Sequence, residues 1–295
     1  MARFGQVLTA MVTPFDDGGA LDLDAAQTLA RWLVENGNDG LVVAGTTGES
    51  ATLSHSEQGE LIAAVADAVD VPVIAGAGSN DTRAAVDLTE RATSAGATAI
   101  LQVTPYYNRP SQAGLEAHFR AAAGATDLPV MLYDIPGRTG RKIATNTLLK
   151  LAHDVDNIVA LKDAAGDPAE TARFIAEAPG GFEVYSGDDK FTLPLLSVGA
   201  VGVVGVATHW AANEMGAMIG AFRAGEVDRA IELNQTLLAS WEYETGDDAP
   251  NPVPTKALLK VLGLAVGDCR LPMGPEPADQ ADRAREVLTG LGRSI

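Results

Sequence analysis

Cysteine is almost absent from this 295-residue chain: Cys269 stands alone. One thiol excludes an internal disulfide framework and a multi-cysteine metal site, and it reads as a small apolar packing residue. Histidine is scarce as well. His55, His118, His153 and His209 show no metal-ligand spacing, and there is no HExxH-type pair, Ser-His-Asp arrangement or Walker loop. All four read as surface or packing positions. Positive charge is in short supply, with 21 Lys and Arg against 39 Asp and Glu and a formal net charge of -18. That balance excludes nucleic acid as a partner, because neutralising phosphates takes clustered Lys and Arg. No apolar run approaches the ~20 residues of a membrane-spanning helix, so no membrane partner is expected. Met1-Ala2-Arg3-Phe4-Gly5-Gln6-Val7 runs straight into a strand-like segment without signal-peptide organisation. The expected compartment is the cytoplasm.

What the chain does have is regular alternation. Short runs rich in β-branched or apolar residues fall at 7–12, 40–44, 71–75, 99–103, 129–133, 158–161, 182–185 and 201–206. Most are almost continuously apolar, as strands covered on both faces must be. Helical patterns lie between and after them, at 23–35, 54–69, 81–95, 112–125, 145–152, 168–177, 190–196 and 211–224. Ser54-His55-Ser56-Glu57 carries a capping-box signature at the start of the second. Eight βα units predict an α/β fold, the closed (β/α)8 TIM barrel, over residues 1–225. The rival, a doubly wound open sheet, would show fewer strands and a glycine-rich fingerprint after the first. Residues 226–295 read as a C-terminal helical extension, with helices at 226–243, 255–262 and 279–291 around a Pro-rich linker.

Catalytic groups of barrel enzymes sit at the C-terminal ends of the strands. Only six lysines occur in the chain, and Lys162 ends the apolar run of strand six. Burying an ammonium is costly unless it is paired or loses its proton, and a neutral amine can attack a ketone to form a Schiff base. A lysine that simply snorkels to solvent is the plain alternative. Its neighbours favour chemistry. Strand two ends in Gly45-Thr46-Thr47-Gly48-Glu49-Ser50, a tight turn whose N–H groups and hydroxyls suit a carboxylate or an oxyanion. Strand five, next to strand six, ends in Tyr133, whose phenol suits proton transfer during imine formation. Arg138 follows in a Pro/Gly loop and suits a bidentate carboxylate clamp, a local exception in an acidic protein. Taken singly, these residues read as a loop, an interfacial aromatic and a surface ion pair; sharing one end of one barrel, they read as a site. The expected chemistry needs no metal and no organic cofactor.

At this point the motifs resemble a known family, the 4-hydroxy-tetrahydrodipicolinate synthases (dihydrodipicolinate synthases) of the pyruvate-dependent class I aldolase superfamily. The resemblance covers nearly the whole chain. It is carried by Gly45-Thr46-Thr47-Gly48-Glu49-Ser50, Thr104-Pro105-Tyr106-Tyr107-Asn108-Arg109-Pro110, Tyr133-Asp134-Ile135-Pro136-Gly137-Arg138-Thr139-Gly140, Leu161-Lys162-Asp163-Ala164 and Asn251-Pro252-Val253-Pro254-Thr255-Lys256. It implies a lyase in which Lys162 forms a Schiff base with pyruvate. Tyr133 would be the general acid/base, in a relay with Thr46 and with a Tyr107 contributed by the neighbouring subunit. Thr47 would bind the pyruvate carboxylate, with Gly187 and Val204 lining the pocket, and Arg138 would hold the carboxylate of L-aspartate 4-semialdehyde. The implied assembly is a homotetramer, a dimer of dimers, and the implied pathway leads to diaminopimelate and lysine.

Rivals in the same superfamily, N-acetylneuraminate lyase and the 2-keto-3-deoxy-sugar-acid aldolases, share the lysine and tyrosine but do not usually carry arginine at the position of Arg138. A catalytically silent barrel is the rival from another class, and the intact set of Thr46, Tyr107, Tyr133 and Lys162 speaks against it. Two departures from the family pattern stand out. Asp134 replaces the more usual asparagine, with no expected change of reaction. In the family's lysine-inhibitor site Ser50, Ala51, His55, Asn80 and Tyr106 match, but Gln58 replaces a histidine and Ala84 an acidic residue. Losing that carboxylate weakens binding of a cationic amino acid by about 1–3 kcal/mol, so weak or absent inhibition by lysine is expected.

Overall fold

Eight parallel strands close on themselves in chain order, β1 pairing with β8. In the computed structural model, which describes residues 2–293, these are β1 (Val7–Ala10), β2 (Gly40–Val43), β3 (Val73–Gly76), β4 (Ala99–Val103), β5 (Val130–Asp134), β6 (Ile158–Asp163), β7 (Glu183–Ser186) and β8 (Gly202–Gly205). The fold is the (β/α)8 barrel that the alternation predicts; closure of β8 onto β1 excludes the open sheet. Side chains alternate between two apolar layers because a strand has a period of two. Leu8, Val42, Ile74, Leu101, Met131, Ala160 and Val204 fill the barrel interior. Val43, Val73, Ile100, Leu132 and Leu161 face the surrounding helices.

Five of the α-helices begin at a residue whose side chain accepts a free N–H group. Asp22 accepts from the Ala25 amide at 2.9 Å, and Ser54 and Glu57 form the reciprocal capping box of the helix His55–Ala68. Three boundaries depart from the sequence pattern. β6 runs to Asp163, because Lys162 and Asp163 still pair with Tyr133 and Asp134 on one side and with Tyr185 and Ser186 on the other. A one-turn helix, Pro136–Thr139, follows β5 and carries Arg138; it is too short to leave a periodic signal. The eighth barrel helix begins earlier than its apolar pattern, as Thr208–Arg223, with a break at Ala211.

The C-terminal helices Val227–Tyr243, Val253–Val261 and Gln280–Gly290 do not form a separate core. Leu237, Trp241, Leu258 and Leu288 share one buried cluster with Val7, Val203 and Trp210 of the barrel. The Trp210 indole donates to Ser240 at 3.0 Å. An ion pair of 2.8 Å between Lys256 and Glu49 ties the extension to the loop after β2, and both residues are buried. The extension thus reaches the catalytic end of the barrel.

Candidate active site

The mouth of the barrel holds a cavity of about 250 Å³ lined by Thr46, Thr47, Tyr133, Arg138, Lys162, Gly187 and residues of the C-terminal extension. A larger surface groove of about 540 Å³ lies among Arg109, Arg141, Lys142 and Arg173, but its lining holds no buried lysine and no cysteine. Size alone does not identify the site.

Lys162 reaches the cavity through strand geometry. Ala160 points into the barrel, so Lys162, two residues on, does too, while the intervening Leu161 packs outward. Asp163 also turns away, its carboxylate accepting from the Thr171 hydroxyl at 2.6 Å and the Ala165 amide at 2.9 Å. Gly187 makes room for the lysine stem: a Cβ there would stand 2.8 Å from Lys162 Cγ. Among the described residues no carboxylate lies within 4.0 Å of Lys162 Nζ. Burial accordingly pulls its pKa down to about 8, with Arg138 acting the same way and the charges of Asp189, Asp188 and Glu244 opposing. A shift of that size raises the neutral-amine fraction at neutral pH by about 300-fold over an ordinary lysine.

Tyr133 sits directly beside it, in register on β5, with Lys162 Nζ 4.3 Å from its ring centre. Burial pushes the phenol well above its ordinary range, against the pull of Arg138 and Thr46. The group therefore stays protonated at neutral pH and is equipped to donate and recover a proton.

The β2 loop supplies the opposite wall. Ala44 and Glu49, at φ 55° and 54°, both adopt left-handed backbone on either side of Thr46 and Thr47. Such conformations cost on the order of 1–3 kcal/mol and persist only where the surroundings over-determine them. Here the constraint is the Lys256–Glu49 pair, together with the Arg270 amide donating to Glu49 at 2.8 Å. Thr47 is buried and its hydroxyl accepts from Asn251 at 2.9 Å, leaving its own proton to point elsewhere. Thr46 is exposed at the rim.

Six of the sequence-derived candidates therefore share one cavity. Two do not. Tyr107 is 89% exposed, because the loop after β4 turns it away from the mouth of its own barrel. Val204 packs inside the barrel with Tyr133; the β8 side of the cavity is formed by Val206, the next residue on that face. Asp134 faces away, accepting from the Ile143 amide at 3.1 Å and pairing with Lys142 at 3.5 Å, and burial pushes its pKa up to about 6. Sequence reasoning passed over Asp188, Asp189, Asn251 and Glu244 as site residues. The strand-end rule could have supplied the two aspartates; nothing local singles out Glu244, at the end of a helix outside the barrel.

Among the described residues there is no cluster of His, Cys, Asp and Glu suited to a metal ion, and no helix is long and apolar enough to cross a membrane. A parallel barrel with a buried, unpaired amine between a neutral phenol and an arginine defines the class: an amine-nucleophile barrel of class I aldolase type. The chain belongs to the dihydrodipicolinate synthetase family, whose model matches residues 3–290. It is 51% identical over 295 residues to the 4-hydroxy-tetrahydrodipicolinate synthase of Acidothermus cellulolyticus, covering 99% of this chain and 94% of that one. Among solved structures it is similar to dihydrodipicolinate synthase from Bacillus anthracis, at TM-score 0.94 and 46% identity over 98% of this chain and 99% of that one. A second is the enzyme from Cyanidioschyzon merolae with lysine bound, at TM-score 0.96 and 45% identity over 99% of each chain.

Proposed function

We propose that the chain condenses pyruvate with L-aspartate 4-semialdehyde through a Schiff base on Lys162, the reaction of a 4-hydroxy-tetrahydrodipicolinate synthase in the diaminopimelate and lysine pathway. The observation that supports it most is the unpaired, buried Lys162 amine in register with Tyr133. The neutral amine adds to the C2 carbonyl of pyruvate, and Tyr133 supplies the proton that lets water leave. Thr47 holds the pyruvate carboxylate, and Thr46 stands in the proton relay with Tyr133. Loss of a C3 proton from the imine gives an enamine, whose carbon attacks the aldehyde of the second substrate. Arg138 holds that substrate's carboxylate in bidentate fashion. The substrate amine then attacks C2, closes the ring and frees Lys162, so that one water leaves overall. The covalent imine does the work of a cofactor.

We read Tyr107 as the contribution of a second chain, since it and the adjacent Tyr106 together expose aromatic surface that suits a partner. A homodimer would complete the relay, and a dimer of dimers is the proposed cytoplasmic form. Acceptor choice tests the reaction: aspartate 4-semialdehyde should outrun N-acetylmannosamine and glyceraldehyde, and preference for a sugar would move the chain to the sugar-acid lyases. Weak response to lysine belongs to the same reading. His55 is already paired with Asp87 at 3.1 Å, and Gln58 donates to the Ser50 carbonyl at 3.0 Å. Micromolar inhibition by lysine in a steady-state assay would defeat it.

A further inference from the structure

Two buried carboxyls face the same cavity as Lys162 and have no role in the reaction as written. Asp189 follows β7 and is 1% exposed; Glu244 closes the helix Val227–Tyr243 and is 8% exposed. They come from opposite ends of the chain's architecture, one from the barrel and one from the extension. Asp189 Oδ2 accepts the Val206 amide at 2.8 Å. Its Oδ1 has no hydrogen-bond partner, and neither does Glu244 Oε2. Two orphaned carboxyl oxygens in one buried corner are costly unless a proton lies between the acids. Both acids line the same cavity, and a proton held between Asp189 Oδ1 and Glu244 Oε2 would satisfy the two orphaned oxygens together. The corner is also shaped for the carboxyl: a Cβ on Gly205 would stand 2.4 Å from Asp189 Oδ1. No other residue type fits there without moving the acid.

We propose that Asp189 and Glu244 form a proton-sharing carboxyl pair that positions a single negative charge beside Lys162 and so stabilises the cationic imine formed there. This rests on the reading of Lys162 as the Schiff-base residue. The two acids act through the lysine and are positioning residues. Free carboxylates at both positions would repel each other; two neutral acids would leave the iminium with Asp188 alone of the three cavity carboxyls. One shared proton gives a charge of minus one. The charged or titratable groups facing the pair are Lys162 from β6, Asp188 from the same loop, and Arg138 and Tyr133 from the β5 side. Burial pushes both acids above the usual carboxylate range, Asp188 adds repulsion at each, and the Asp189 charge raises Glu244 further.

Isosteric amides separate charge from shape. Asp189→Asn and Glu244→Gln each leave one acid of the pair, hence one charge, whereas the double variant removes the pair's charge and leaves only Asp188 in the cavity wall. With pyruvate and borohydride, each single variant should lower the apparent affinity for imine formation by less than about threefold and the double variant by tenfold or more. The pH at which imine formation levels off, set by Lys162, should fall by a unit or more only in the double variant. A double variant no worse than the product of the singles, with an unmoved pH profile, overturns the proposal and leaves the pair a packing feature. An infrared difference spectrum is independent of activity and of the double variant's folding. Near neutral pH the wild type should show the carbonyl stretch of one buried neutral carboxylic acid, lost in Glu244→Gln. Absence of that band from the wild type would also overturn the proposal. Failure of wild-type trapping on Lys162, by contrast, would sink the functional reading and leave the infrared result standing.

Discussion

Two lysines are buried in this molecule, and they are buried differently. Lys162 is 5% exposed and Lys256 1% exposed; each holds its ammonium 4.3 Å from an aromatic ring centre, Tyr133 and Phe15 respectively. Lys256 has a carboxylate at 2.8 Å and a backbone carbonyl at 3.0 Å, from Glu49 and Asp268. Lys162 has only more distant charges. Burial lowers the pKa of both, but the Glu49 carboxylate opposes the effect at Lys256, and a hydrogen-bonded ammonium locked into an ion pair has no free lone pair to offer. The same residue type in equally dry surroundings is thus a structural clamp in one place and a candidate nucleophile in the other. The presence of a contact partner decides which, not the depth of burial.

Removing each lysine should break the molecule in opposite ways. Lys162→Met should lower turnover by roughly 10⁴-fold or more, with stability far less affected than at Lys256, because no carboxylate in direct contact loses its partner. Lys256→Met should cost about 3–5 kcal/mol of unfolding free energy, since Glu49 then remains as an uncompensated buried charge. Thermal and denaturant unfolding beside steady-state assays would show the crossing, and equal stability losses would erase the distinction. A smaller effect is expected at Arg138. Arg138→Leu should reduce turnover of the semialdehyde by about a hundredfold, the worth of a lost charge-assisted pair, while pyruvate imine formation changes far less. Equal loss of both would make the arginine a support for the lysine. The mildest test is pH. The rate of imine formation should rise about tenfold per unit while Lys162 loses its proton, then level near pH 8. A rise continuing to pH 10 would mean that burial does not tune this amine.

The barrel was legible because its signal is repetitive: eight apolar runs at βα spacing, each covered on both faces. That Lys162, Tyr133, Thr47 and Arg138 share one cavity was legible because strand ends of this fold converge at one mouth, and strand ends can be counted. What escaped was long-range. The role of Lys256 depends on Glu49, on the far side of the barrel in sequence, and its own segment looks no different from that of Lys162 to a reader of local pattern. Glu244 enters the cavity only because the Val227–Tyr243 helix packs back on the barrel, and helical periodicity does not encode where a terminal side chain lands. Val206 rather than Val204 lines the cavity because the β8 end is set by its pairing with β1 and β7. Tyr107 is tied to its own chain through its backbone, whose amide donates to the Thr139 carbonyl at 3.4 Å, while its side chain stays exposed.

The central claim is that the unpaired amine, not the paired one, carries the chemistry. Borohydride reduction in the presence of pyruvate, followed by peptide mapping, tests it directly. A single stable adduct on Lys162 is predicted, with none on Lys256 or the four remaining lysines. No adduct, or an adduct on any other lysine, would contradict it.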